Sequence, residues 1–299
     1  VTERRCWSLT PFFNELDVLE VKLAEQGPWV DVFVFAESTT TYAGNPKPLY
    51  LTDALDAGRF AEWRDKIRVV VVDDPPTMVA PFQNFGDPER WRRENHQRAC
   101  LARGLDGLEP TDVVCLSDLD EIVRGSIIRG YAEQGWTFMS VPPLPMHVGS
   151  LTHRWWVPIH VIARLLTGAT LLACDDPNVW NGVACGSSPE DVRQATGVRI
   201  EIPDGHDMSY YGWHLSWMGG HGAIVHKLDE HAHPEMDSPE WRTEAHAEAV
   251  SKGERDLFGR SNRILVDCPR AGLPDVIQRD FDKWQKILVE GVEHVHVDA

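Results

Sequence analysis

The sequence predicts an α/β fold in which a mainly parallel sheet is flanked by helices within a single domain. Apolar runs of strand length recur at residues 30–38, 66–74 and 111–116. Longer segments with helical periodicity lie between and before them, at residues 14–28 and 86–105. The runs VDVFVFAES and KIRVVVVDD are apolar almost throughout, the pattern of strands covered on both faces.

The elements follow in order. RRCWSLTPFF (residues 4–13) reads as a first strand. NELDVLEVKLAEQGP reads as a helix with Asn14 as cap, Asp17 in the first turn, and Leu16, Leu19 and Leu23 as the buried stripe. Gly27-Pro28 stops it. After the strands at 30–38 and 66–74, residues 86–105 form a helix capped by Asp87 with Pro88 in its first turn. TDVVCL (residues 111–116) is the next buried strand. The second half is less regular. Residues 139–166 suggest strands around a Pro-rich bend, residues 175–191 are loop-like, and residues 210–237 join strand-forming aromatics, a Gly-rich turn and five histidines. Residues 1–265 are read as the main domain and residues 266–299 as a helical tail packed on it.

The totals exclude several classes. With 42% hydrophobic and 25% charged residues, the chain of 299 residues has the make-up of a soluble globular protein. No apolar run approaches the roughly 20 residues that span a bilayer. VTERRCWSLTPFF lacks the features of a signal peptide. The six cysteines are scattered without a CxxC pair, which suits reduced core thiols in a cytoplasmic protein. A net charge of −17 argues against nucleic acid as partner. The basic run at residues 89–103 is read as the solvated face of a helix. Twelve tryptophans suit sugar stacking, although some must serve the core.

In parallel sheets ligands bind beyond the carboxyl ends of the strands. Three such ends carry acids: Glu37, Asp73-Asp74, and the Asp118/Asp120 pair of SDLDE. Paired carboxylates on one face persist if they are solvated, if one is protonated, or if a cation lies between them. The sharper reading is a divalent cation bridging a diphosphate; the plainer one is a solvated acidic loop or a series of helix caps. His214, His226, His231 and His233 are candidate ligands or proton carriers, and more often such residues are structural. On a strand His231 and His233 would share a face and, with Glu235, form a polar corner. Gly219-Gly220 is a turn and a weak phosphate-loop candidate. GxSxG, Walker and GxGxxG motifs are absent.

Five segments in order, spread over residues 10–260, resemble glycosyltransferase family 17: FFNELDVLEVKL, VDVFVFAESTTTYAGNPKPL, VVCLSDLDEI, GWHLSWMGG followed by KL, and HAHPEMD. Val123 stands where the family has proline, and the membrane anchor and stem of the animal members have no counterpart, so the acceptor need not be an N-glycan. The resemblance implies a GT-A-like, Rossmann-like fold and an inverting hexosyl transfer from a UDP-sugar, with N-acetylglucosamine as the sugar in known members. It implies that Asp118 and Asp120 hold Mn²⁺ or Mg²⁺ on the diphosphate, with Glu121 adjacent and His214 as a further ligand or hydrogen-bond donor. Glu37 and Ser38 would face the nucleoside, Lys47 the phosphate or ribose, and Trp213 and His214 the donor pocket, which His233 and Glu235 would close. Glu235 is the first choice of catalytic base, with Asp207 and Asp237 as rivals. The acceptor would be a hydroxyl of a glycan, protein or small molecule. Three alternatives stand beside this reading: the same transfer to a hydroxymethylated DNA base, a nucleotidyltransferase, and a non-catalytic sugar-binding protein.

Overall fold

The computed structural model describes residues 4–76, 87–134, 138–140, 146–148, 154–157, 164–167, 212–232, 234, 238–251, 257–258, 264–267 and 272–290. Strands β1 (Cys6–Phe12), β2 (Val32–Ser38), β3 (Ile67–Val72) and β4 (Val113–Leu116) are mutually parallel and lie in the order β3-β2-β1-β4. Each lies inside its predicted apolar run. The sheet continues beyond β4 through two antiparallel strands, β9 (Arg164–Thr167) and then β6 (Phe138–Ser140). A second sheet has the order β11-β8-β7-β10-β5, built from β5 (Glu121–Val123), β7 (Met146–Val148), β8 (Arg154–Val157), β10 (Gly212–Ser216) and β11 (Ile264–Asp267).

The helices are α1 (Leu16–Gln26), α2 (Tyr50–Asp56), α3 (Pro88–Cys100), α4 (Gly125–Gln134), α5 (Gly220–Glu230), α6 (Glu244–Ser251), α7 (Asp275–Arg279) and α8 (Phe281–Gln285). None of the described helices is long and apolar enough to cross a membrane. Side-chain alternation along the central strands explains the two-sided core. Cys6, Phe33, Phe35 and Cys115 join one cluster with Leu19 and Leu23 of α1. Trp7, Leu9, Val34 and Leu116 join the other with Cys100 and Leu101 at the end of α3. The mainly parallel α/β sheet is thus borne out, with both faces covered at β1, β2 and β4, whereas β3 lies at the end of the strand order and is partly exposed, Val71 most of all. Leu273, Ile277, Phe281 and Trp284, from α7, α8 and the residues before them, belong to the α1 cluster. The thiols of Cys6 and Cys115 are free and buried, and burial pushes both up to about 12.

Two helix starts show how local chemistry decides. Asp87 caps α3 by accepting a hydrogen bond from the Glu89 N–H at 2.9 Å, with Pro88 as first residue, as expected. Asn14 does not cap α1: Glu15 precedes the first turn, no side chain accepts there, and the Asn14 carbonyl takes the Leu16 N–H at 2.9 Å. The buried face of α1 also differs from the expected Leu stripe, because it carries Lys22 and Gln26 among the apolar residues. Gln26 accepts from Ser8 Oγ and donates to the Val123 carbonyl, both at 2.9 Å, so its burial leaves neither end of the amide unpaired.

The GWH segment enters the fold through a tight crossing. Gly212 has φ of 146°, and a Cβ there would lie 2.1 Å from the Ile122 carbonyl oxygen. That contact permits the antiparallel pairing of β10 with β5, which sets His214 opposite Glu121. Gly212→Ala is therefore expected to cost about 2–4 kcal/mol through backbone strain and overpacking. Urea unfolding measures it, and a loss under 1 kcal/mol would mean that β10 can shift off β5 cheaply.

Candidate functional site

The strand order reverses between β1 and β4, since β2 and β3 lie on one side of β1 and β4 on the other. A cavity of about 270 Å³ opens at the carboxyl ends of these strands. Such switch points are where open α/β sheets bind ligands. The cavity is lined by Phe12 at the end of β1 and Phe13 after it, Asp118 to Glu121 after β4, Arg98 of α3, His214 of β10 and Lys227 of α5.

The loop between β4 and β5 is held from beneath. Lys22 is fully buried, and its Nζ donates to Ser117 Oγ and the Asp118 carbonyl at 2.9 Å and to the Glu121 carbonyl at 3.3 Å. Three acceptors fit the three protons of an ammonium. Burial lowers the pKa of Lys22, and the nearby acidic groups of Cys115, Glu121, Asp118 and Asp120 oppose that shift. Above it the loop closes on itself: the Asp118 N–H donates to Glu121 Oε2 at 3.0 Å, and the Leu215 N–H of β10 donates to the Asp120 carbonyl at 2.7 Å. Glu121 is buried. Burial, then the charges of Asp118 and Asp120, push its carboxyl well above the usual range.

The paired acids already meet cations. Asp118 Oδ1 lies 2.6 Å from Arg98 Nη1, while Arg98 also reaches Glu94 Oε1 through Nε at 3.1 Å and Nη2 at 2.9 Å. Asp120 Oδ2 accepts from Lys227 Nζ at 3.0 Å, and its Oδ1 lies 3.5 Å from His214 Nε2. Burial alone would raise the Asp120 pKa. Lys227 and His214 outweigh it and hold the carboxyl far below the ordinary range. Lys227 also contacts Glu15 Oε1 at 3.3 Å; burial would lower its pKa, but Asp120 and Glu15 raise it. The cations are absent from the SDLDE segment itself and come from α3 and α5.

The structure gathers Lys47, Asp118, Asp120, Glu121 and His214 around the cavity. Lys47 Nζ donates to the Phe13 and Pro48 carbonyls, each at 3.2 Å, and sits over the rings of Phe13 and Tyr50. Glu37 is spent elsewhere: its carboxylate accepts from the Leu51 and Thr52 N–H groups at 2.7 and 3.0 Å, anchoring the start of α2. Ser38 stays beside it, accepting from the Thr40 N–H at 3.2 Å. Trp213 is fully buried, with its indole N–H on the Gly272 carbonyl, so alternation along β10 turns it away as His214 turns in. His231 lines the cavity and meets Trp217 edge to face, and His226 stacks on Phe13. Gly219 and Gly220 are left-handed and start α5, where the Gly219 N–H is taken by the Leu288 carbonyl. His233, Glu235, Asp207 and Asp237 lie outside the described residues.

Sequence reasoning missed Lys22, Arg98 and Lys227. Lys22 left a faint signal, a charge inside the stripe of Leu19 and Leu23. Arg98 belongs to the basic run of residues 89–103, which is not simply solvated. Arg90 donates to the carbonyls of Asp229 and His231, Arg93 to Tyr42, and Arg103 to both oxygens of Asp74.

The model of glycosyltransferase family 17 matches residues 1–130. That stretch is similar to the family 17 glycosyltransferases. It holds the four parallel strands, Lys22, Arg98 and the SDLDE loop, so the resemblance drawn from short motifs is borne out there. Beta-1,4-mannosyl-glycoprotein 4-beta-N-acetylglucosaminyltransferase of Rattus norvegicus is 26% identical over 228 residues, 72% of this chain and 40% of its own length. The Homo sapiens protein of the same name is 26% identical over 72% of this chain and 41% of its own. The chain thus spans about two fifths of these relatives. Among solved structures, that of 4-diphosphocytidyl-2C-methyl-D-erythritol synthase covers 70% of this chain and 92% of its own, at 14% identity and a TM-score of 0.35, too loose a likeness to argue from.

Proposed function

We propose that this chain transfers a sugar from a UDP-sugar, N-acetylglucosamine first, to a hydroxyl acceptor with inversion. The observation that carries the reading is the pair Asp118 and Asp120 at the β1/β4 switch point, within the family 17 stretch. The names of the relatives support N-acetylglucosamine as the sugar. Phe12, Phe13 and Trp217 give the cavity apolar faces on which a base or a pyranose ring can stack.

A hard divalent cation fits these donors. Asp118 and Asp120 offer carboxylate oxygens to one cavity, and His214 Nδ1, beside them, is a buried atom without a hydrogen-bond partner. Asp118 and Asp120 would hold Mn²⁺ or Mg²⁺, which when bound would act as a Lewis acid on the departing diphosphate. Arg98, Lys227 and Lys47 line the same cavity and place positive charge where phosphate oxygens would come to rest. His214 keeps Asp120 oriented from the β10 side.

The test is UDP release from labelled UDP-N-acetylglucosamine by the full chain. Release is expected with Mn²⁺, with at least a tenfold fall in EDTA and recovery when Mn²⁺ is returned. No release from UDP-N-acetylglucosamine or other UDP-hexoses would overturn the transferase reading. Full release in EDTA would discard the metal role of Asp118 and Asp120 and leave the diphosphate to the cations alone.

A further inference from the structure

A second cluster of donors lies on the far side of α3 from the cavity. Asp74 follows the end of β3, while His96 and Cys100 sit four residues apart on one face of α3. His96 Nε2 is 3.3 Å from Asp74 Oδ2 and 3.6 Å from Cys100 Sγ. The ligand atoms of the three residues all lie within 4.8 Å of one another, and this is the one such His, Cys and acid group among the described residues.

The geometry points to a zinc site formed by Asp74, His96 and Cys100. In a tetrahedral zinc site, bond lengths near 2.0–2.1 Å for nitrogen and oxygen and near 2.3 Å for sulfur set the distances between ligand atoms. They come to about 3.3 Å for nitrogen to oxygen and about 3.6 Å for nitrogen to sulfur. The observed separations of 3.3 and 3.6 Å match both. A single hydrogen bond from His96 would account for one of these contacts and not for the other.

Two other readings fare worse. A Cys-His-Asp relay needs its partners on opposite ring nitrogens, whereas both contacts here converge on Nε2. A hard cation such as Mg²⁺ is poorly served by thiolate and imidazole, which select zinc. Arg103 grips both oxygens of Asp74 at 2.8 Å and so fixes the carboxylate plane from outside, as the outer partners of metal ligands do. Each oxygen keeps a second lone pair. His96 and Cys100 are buried while the Asp74 side chain is 37% exposed, so the ion would enter, and keep a water, on the Asp74 side. Burial pushes the free Cys100 thiol up to about 11, and zinc would displace its proton on binding. The ion would clip the last turn of α3 to the end of β3, and α3 is the helix that aims Arg98 at Asp118.

The test strips the full chain of metal and titrates it with Co²⁺, then Zn²⁺. A thiolate-to-cobalt charge-transfer band with tetrahedral d–d bands is expected, bleached by stoichiometric Zn²⁺. The band should vanish in Cys100→Ser, and in His96→Gln cobalt affinity should fall at least tenfold. Asp118→Asn, which alters only the other site, should keep the band. Zn²⁺ should raise the melting temperature of wild type and not of Cys100→Ser. No charge-transfer band in wild type, or a band that survives Cys100→Ser, overturns the site.

Discussion

Asp120→Asn is expected to lower both activity and stability. Transfer from a UDP-sugar should fall by about 10²-fold or more, the scale on which a preorganised charge at a reacting diphosphate acts. The stability effect follows from burial. The Asp120 side chain is 12% exposed and meets Lys227 at 3.0 Å and His214 at 3.5 Å. Relief of like-charge repulsion, the gain one would assign to an exposed acid pair, does not apply, because Arg98 and Lys227 already balance the two carboxylates. Asparagine leaves Lys227 with Glu15 as its remaining carboxylate partner, beside the Trp217 ring. Breaking a buried pair costs about 3–5 kcal/mol, and the partial exposure of Lys227 brings this nearer about 2–3. The pH dependence has a definite sign. The folded-state pKa of Asp120 is depressed, so its contribution is complete above the unfolded carboxylate range near pH 4 and is lost as pH falls below it. Urea unfolding should therefore separate wild type from Asp120→Asn at pH 7 and bring them together in strong acid. Equal midpoints at pH 7 would show that Lys227 pairs with Asp120 at no gain.

The four parallel strands were legible because nearly unbroken β-branched and aromatic runs such as VFVF and VVVV have few other uses than strands; VFVF is covered on both faces, while VVVV, in β3 at the end of the strand order, is partly exposed. The acids at their carboxyl ends were legible for the same reason, since topology collects strand ends on one edge. Their surroundings were not. The absence of a basic residue in SDLDE suggested that a cation must be recruited from solution, yet Arg98 arrives from α3 and Lys227 from α5, 107 residues beyond Asp120. A segment cannot report contacts made at such separation. The fate of Glu37 shows the converse. It has the same sequence signature as Asp118, an acid at a strand end, but the start of α2 comes close enough to take both its oxygens. Gly219-Gly220 read as a turn, and both do adopt left-handed angles, but the eleven residues from Gly220 to Glu230 continue as α5. Trp213 and His214 are neighbours in the motif and part company in space because β10 alternates.

Lys22→Met is expected to give the largest loss of any single change in the loop support. Methionine has nearly the volume of the lysine stem but none of its donors, so packing is conserved while the hydrogen bonds vanish. Ser117 Oγ and the carbonyls of Asp118 and Glu121 would lose the ammonium that binds all three. An unsatisfied buried acceptor costs about 1–3 kcal/mol, and the three share one site, so about 3–5 kcal/mol in total is the reasonable expectation. The charge matters as well as the bonds. Asp118, Asp120 and Glu121 all act on Lys22, and without its positive charge Glu121 would meet the other two acids with less compensation. The effect should be local. Strands β1 to β3 make no use of the Lys22 ammonium, so hydrogen exchange should quicken first at residues 117–123 and at the Leu215 N–H, which rests on the Asp120 carbonyl. Lys22→Arg should not rescue it, because the planar guanidinium needs more room than a fully buried ammonium leaves. UDP binding by calorimetry should weaken in Lys22→Met even where the protein remains folded at low denaturant. A variant within 1 kcal/mol of wild type, with unchanged exchange at residues 117–123, would mean that the loop holds its shape without Lys22. Its support would then have to come from the β5–β10 pairing above it.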